Sequence, residues 1–158
     1  MNNKDFKSEK ISKTAVITLN GKIENVFPLF GAFEERKWAK DWNPVLIYPS
    51  NEIIEEGTTF KTECHGHGES EFIWRVPKFE AEKFLIQYLV STENRYWTIT
   101  IKCNPINENR TSAEITYTFI SLNELGNKIN EHSLEEMYAN DLKDWENAIN
   151  SYLSNISF

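Results

Sequence analysis

Long apolar runs are missing from this chain. None approaches the roughly 20 residues a helix needs to cross a bilayer, so membrane insertion is not expected. Basic clusters are missing as well. The net charge is −7, from 17 Lys and Arg against 24 Asp and Glu, whereas nucleic-acid binders draw much of their affinity from basic side chains that neutralise phosphate. No nucleic-acid partner is expected, and the same sign disfavours an anionic lipid surface. Cysteine is scarce: Cys64 and Cys103 fall on separate predicted strands without a Cys-x-x-Cys spacing. That removes the usual metal and redox motifs and leaves both as small buried hydrophobes. There is no Gly/Pro/Ser linker, low-complexity tract or internal repeat, which points to one domain over 1–158 with a flexible polar start at 1–12. The opening MNNKDFKSEKISK has no apolar signal-peptide core, so the expected location is cytoplasmic. A phosphate-binding glycine loop, GxSxG, HExxH and a Cys/His nucleophile pair are all absent. No cofactor is expected, and no reaction is legible.

Aromatic side chains are abundant: 10 Phe, 6 Tyr and 5 Trp among 158 residues. Such residues bury large areas and often line binding cavities, although they fill ordinary cores too. Residues 13–20 alternate, with Ala15, Ile17 and Leu19 on one face, and form a first strand ended by Gly21. Over 23–41 the period becomes helical through Val26, Phe27, Phe30, Phe33 and Trp38, with Pro28 near a start and Gly31 at a break. This stretch reads as one or two short helices. After Trp42-Asn43-Pro44 the period is two again. Predicted strands are 45–48, 58–65, 70–76, 83–91, 96–103 and 112–122, joined at Gly57, Gly66 and Gly68, Pro77, Asn94 and 105–109. Most have one apolar and one polar face, as in an antiparallel sheet covered on one side. The strand 83–91 is apolar on both faces, which makes it a candidate homodimer surface.

Ser133-Leu134-Glu135-Glu136 has the form of a capping box. The stripe Leu134, Met137, Tyr138, Leu142, Trp145, Ile149, Leu153 and Ile156 predicts one amphipathic helix over about 134–156. A single oily sheet face and a single oily helix must bury each other. The expected fold is therefore α+β: a curved antiparallel sheet of about seven strands wrapped around a long C-terminal helix, with two short helices after strand one.

Three stretches bear a family resemblance. The first is Val26-Phe27-Pro28-Leu29-Phe30 followed by Glu34-Glu35, Trp38, Trp42 and Tyr48-Pro49. The second is Glu56-Gly57, Phe60 and Thr62 with Trp74-Arg75-Val76. The third runs from Ser121 to Asn127, with Trp145 and Leu153 in the final helix. Over about 13–156 the chain resembles the START-like or SRPBCC superfamily, whose helix-grip fold is shared with birch-pollen-type allergens and polyketide cyclases. The bacterial polyketide cyclase/dehydrase-like branch, many of whose members are uncharacterised, is the most similar. The resemblance implies a cavity between sheet and helix for a lipid-, polyketide- or aromatic-like molecule. It carries over no catalytic residue.

Residues expected to line such a cavity are Phe60, Thr62, Trp74, Tyr88, Trp97, Ile99, Tyr117, Tyr138, Asp141 and Trp145, with Cys64 a further polar candidate. Three readings of function follow. The first is non-catalytic binding of a small hydrophobic molecule, which calls for roughly 300 Å³ or more of space. The second is a cyclase, dehydratase or hydrolase, which needs an acid–base pair such as Asp141 with Tyr88 or Tyr117. The third is a protein-interaction module. Separately, Glu63, His65, His67 and Glu69 alternate onto one side of an extended strand and could hold a metal. Gly66 and Gly68 predict a turn there instead, and a solvated hairpin tip without metal is the expected outcome.

Overall fold

A computed structural model describes residues 5–66 and 69–156, with backbone only for 64–66. Seven strands form one antiparallel curved sheet in the order β1-β7-β6-β5-β4-β3-β2. They are β1 (Lys10–Leu19), β2 (Val45–Tyr48), β3 (Thr59–Gly66), β4 (Glu69–Glu80), β5 (Leu85–Ser91), β6 (Arg95–Asn107) and β7 (Arg110–Ser121). Strands β2 to β7 form a meander, and β1 returns to pair with β7 from Lys10↔Ile120 to Leu19↔Thr111. Between β1 and β2 lie α1 (Ile23–Val26) and two 3-10 turns, Phe27–Phe30 and Glu34–Lys37. Pro28 sits in the first turn of its 3-10 segment and Gly31 ends it, as the sequence predicts.

Alternation translates directly into burial. Ala15, Ile17 and Leu19 of β1 face the core, as do Ile86, Tyr88 and Val90 of β5. So do Trp97, Ile99, Ile101 and Cys103 of β6, and Ala113, Ile115, Tyr117 and Phe119 of β7. The second face of β5, at Leu85, Gln87 and Leu89, is only half-buried. Two strands run past prolines that the sequence reading treats as ends. Strand β4 continues through Pro77 and β6 through Pro105, each with a register shift beside the proline. A bulge tolerates the missing N–H that a regular ladder does not.

Part of the stretch expected to be flexible, residues 8–12, pairs with the rest of the protein. β1 already begins at Lys10, the Ser8 hydroxyl donates to Ser121 O at 2.7 Å, and the Glu9 N–H donates to Asn127 Oδ1 at 3.2 Å.

The helical segment after the sheet differs most from its sequence reading. It comprises α2 (Glu124–Met137) and α3 (Lys143–Ser154), with Asp141 and Leu142 between them at φ 53° and 60°. Helix α2 begins ten residues before the predicted start. Its N-cap is Asn123, whose Oδ1 accepts the Gly126 N–H at 2.9 Å. Ser133 lies inside α2 and forms no capping box: its hydroxyl accepts from Arg95 Nη1 at 3.2 Å. The apolar stripe itself is real. Leu134, Tyr138, Leu142, Ile149 and Leu153 are all buried against the sheet, because the turn at 138–142 keeps one oily face on both pieces. Helix α3 also covers the open edge of β1. Glu146 Oε2 accepts the Thr18 N–H at 2.8 Å, and Asn150 exchanges hydrogen bonds with Asn20 N–H and Thr18 O.

Candidate functional site

The segment after α1 rests against the concave sheet face because its polar atoms are tied down there. Tyr88 Oη donates to Phe30 O at 2.6 Å, Trp38 Nε1 to Leu29 O at 2.7 Å, and Trp42 Nε1 to Ala32 O at 2.6 Å. Between this segment, the sheet and α3 lies a cavity of about 200 Å³. Trp74, Tyr88, Ile99, Ile101 and Tyr117 form its floor, Trp145 its helical wall, and Glu35, Trp38, Ala39 and Trp42 the facing wall. A second cavity, of about 300 Å³, shares Trp74 and Tyr117 with the first and continues past Trp97 and Phe119 to Ser133 and Met137. The two abut through a wall of two aromatic rings.

Of the ten residues expected to line the cavity, Trp74, Tyr88, Ile99, Tyr117 and Trp145 line the first space, and Trp97 lines the second. Phe60 is fully buried behind the floor, stacked on Trp74 at 5.4 Å between ring centres. Thr62 accepts the Trp74 indole N–H at 3.0 Å and borders a separate space of about 650 Å³ beside Trp42 and Phe72. Tyr138 is buried and donates to Ile115 O at 3.3 Å, which fixes the edge of its ring against Tyr117. Asp141 is exposed in the turn between α2 and α3. It does not enter the cavity, so the acid–base pair built on Asp141 is not formed. The side chain of Cys64 lies outside the described residues.

The carboxyl group in the cavity is that of Glu35, which the sequence marks as part of the family-like opening segment and not as a cavity residue. It is half-buried by surface area because it borders empty space, yet protein atoms surround it. Burial alone pushes its carboxyl well above the ordinary carboxylate range. No hydrogen bond or ion pair reaches the Glu35 carboxyl among the described residues, although its backbone N–H donates to Gly31 O at 3.0 Å. Its neighbours in sequence point elsewhere: Arg36 pairs with Glu52 at 2.8 Å and Lys37 with Glu34 at 2.5 Å. Burial, reinforced by Glu35, likewise raises the phenols of Tyr88 and Tyr117 well above their usual range. The signal for Glu35 was present in the sequence. Residues 35, 38, 39 and 42 follow the i, i+3, i+4, i+7 spacing of one helical face, and a glutamate among tryptophans on such a face is out of place.

Beside the second cavity, Arg95 and Glu69 form a buried ion pair at 2.9 Å, with side chains 5% and 1% exposed. Arg95 also donates to Asn130 Oδ1 and lies 4.6 Å from the centre of the Trp97 ring. Glu69 therefore turns inward and is committed to Arg95, whereas Glu63 is exposed, so these two members of the stripe Glu63, His65, His67 and Glu69 do not share one face. His67 and the His65 side chain lie outside the described residues. Among the described residues there is no group of three or more His, Cys, Asp or Glu placed to hold a metal, and no helix is long and apolar enough to cross a membrane.

A curved seven-stranded antiparallel sheet with short helices after its first strand, closed by a C-terminal helical segment over an aromatic cavity, is the helix-grip fold. No family model and no curated protein matches the sequence. Solved structures do match. Truncated norcoclaurine synthase from Thalictrum flavum aligns over 97% of this chain and 99% of its own, with a TM-score of 0.71 at 11% identity. Ara h 8.0201 aligns over 94% and 100%, with a TM-score of 0.63 at 13% identity. Mll3558 from Rhizobium loti covers 93% and 99%, with a TM-score of 0.61 at 12% identity. At such identities the likeness is one of fold.

Proposed function

We propose that this protein binds a small, largely apolar molecule, lipid-, polyketide- or aromatic-like, in the space between sheet and C-terminal helical segment, without altering it chemically. The observation that carries the reading is the aromatic cavity around Glu35, where tightly packed walls surround space that a core would otherwise fill. At about 200 Å³ it falls below the usual ligand-pocket range of roughly 300–1,000 Å³. The guest is accordingly small, or it parts Trp74 and Tyr117 to use the adjoining space as well. Trp74, Tyr88, Trp97, Ile99, Tyr117 and Trp145 are the contacts proposed for it.

A thermal-shift screen of small aromatic and aliphatic molecules, followed by native mass spectrometry, tests the proposal. Hits are expected to raise the melting temperature in a dose-dependent way. Ile99→Trp, which fills the cavity, should abolish the shifts, whereas Asp141→Ala should leave them unchanged. A screen without a single saturable hit would overturn the reading.

A specific observation also favours a catalytic variant: Glu35 can give or take a proton beside the Tyr117 hydroxyl, as a cyclase or dehydratase acting on an aromatic or polyketide-like substrate requires. Turnover of a bound hit that is lost in Glu35→Gln would select this variant; hits recovered unchanged would reject it.

A further inference from the structure

We propose that the guest carries a positive charge: the cavity takes a small organic monocation, an amine or quaternary ammonium, with Glu35 as its counter-ion and the surrounding rings as its cage. The inference rests on the binding function proposed above and names the chemistry of the ligand.

Three features point the same way. The first is the character of the walls. Trp38, Trp42 and Trp74 all spend their indole N–H groups on partners outside the cavity, namely Leu29 O, Ala32 O and Thr62 Oγ1. What these three present inward is ring surface, and aromatic faces carry the negative end of the ring quadrupole. A cation within about 6 Å of such faces is attracted to them, most strongly at tryptophan and where water is excluded.

The second feature is Glu35 itself. Its carboxyl faces the cavity without a protein partner, and the cavity lining contains no Lys, Arg or His to answer it. The two nearest cations in sequence, Arg36 and Lys37, are engaged with Glu52 and Glu34. A structural role would have supplied a donor, as the same protein does for Glu69, which Arg95 contacts at 2.9 Å with help from Thr92 and Asn94. One carboxyl group is buried and fully answered, and the other is left open toward empty space. That contrast within one molecule separates a site from a packing accident.

The third feature is the shape. The space around Glu35 suits a head group, and the adjoining space, lined by Trp97, Phe119 and Met137 and also by Arg95, Ser133 and Glu136, leaves room for a short tail. The Tyr117 hydroxyl, which has no hydrogen-bond partner among the described residues, stands on the shared wall, where it can accept from an ammonium N–H.

Protonation follows from this arrangement. Without a guest, burial favours the neutral carboxyl of Glu35; a bound cation favours the carboxylate, so binding should expel a proton. The other titratable groups facing Glu35 from the sheet are Tyr88 and Tyr117, and Asp144 on α3 acts on Tyr117. Both phenols are held well above their usual range and stay neutral throughout the working pH, so Glu35 alone accounts for the proton.

The test is calorimetry on the full chain with 2-phenylethylammonium and its neutral counterpart 2-phenylethanol, repeated from about pH 5 to pH 8, where an alkylamine keeps its proton. The ammonium should bind about tenfold or more tightly than the alcohol and, toward the acidic end of that range, release a proton, detected as a dependence of the heat on buffer ionisation enthalpy. In Glu35→Gln the preference should fall to about onefold and the proton release should vanish. The proton count on the unmodified chain needs no variant, so it stands even if Glu35→Gln folds poorly. Equal affinities, or a preference that survives in Glu35→Gln, would overturn the cation assignment and leave the apolar-binding proposal intact. Binding of neither probe overturns the assignment; only an empty wider screen overturns both.

Discussion

At the scale of single residues, Glu35 dictates a pH signature of its own. Its folded-state carboxyl holds a proton to higher pH than the unfolded one does. Between those two values the folded state binds more protons, and stability falls as the pH rises through the window. Glu35→Gln lacks that penalty. The variant and the parent should therefore melt alike near roughly pH 3, where both states carry the proton, and the variant should melt at higher temperature near neutrality. Identical melting temperatures across the range would mean that the carboxyl is solvated. Cys103 is the opposite kind of residue. It reads from the sequence as a small hydrophobe, and burial pushes its thiol up to about 12, which leaves it a packing group with no thiolate at neutral pH.

At the scale of elements, the Arg95–Glu69 pair joins β4 to β6, and through Asn130 and Ser133 it fastens both to α2. Removing one partner leaves an uncompensated buried charge, at a cost of about 3–5 kcal/mol, whereas removing both costs far less. Arg95→Met and Glu69→Gln should each lower unfolding stability in urea by about that amount, and the double variant by much less than their sum. Additive losses would show that the pair does not act as a unit. The same packing sets a glycine. A Cβ on Gly126 would lie 2.1 Å from Asn94 O, because α2 starts directly against the loop that leads into β6.

Element boundaries also mark how far the sequence could be read. The strands were legible because one apolar face repeated with period two in each. The break after α2 was not, because the stripe from Leu134 to Leu153 runs through it without a slip. Asn140-Asp141, residues that favour turns and tolerate positive φ, were the available sign. Likewise Ser133 and Glu136 satisfy the capping-box pattern, but position in the chain decides whether a serine caps a helix or anchors an arginine from another strand.

At the scale of the whole molecule, everything proposed about a guest depends on α3 staying docked. Its polar side chains hold the backbone of β1 and its apolar ones, Ile149 and Leu153, are buried. The amides of 149–153 should accordingly exchange with solvent as slowly as those of central β7, since both open only with the global fold. Rapid exchange confined to α3 would mean that the wall carrying Trp145 is loose and the cavity open.

The pattern of residues alone determined the strands, the oily side of each and the need for a helical cover, because periodicity is a local property written into consecutive positions. It also determined that aromatic rings would crowd the space between sheet and cover. Only the tertiary structure decided which polar groups meet those rings. Asp141 left the cavity with a turn, Glu69 went to Arg95, and Glu35 was left facing Tyr88 and Tyr117. Those outcomes turn on contacts between residues far apart in the chain, and long-range partners are set by packing rather than by spacing.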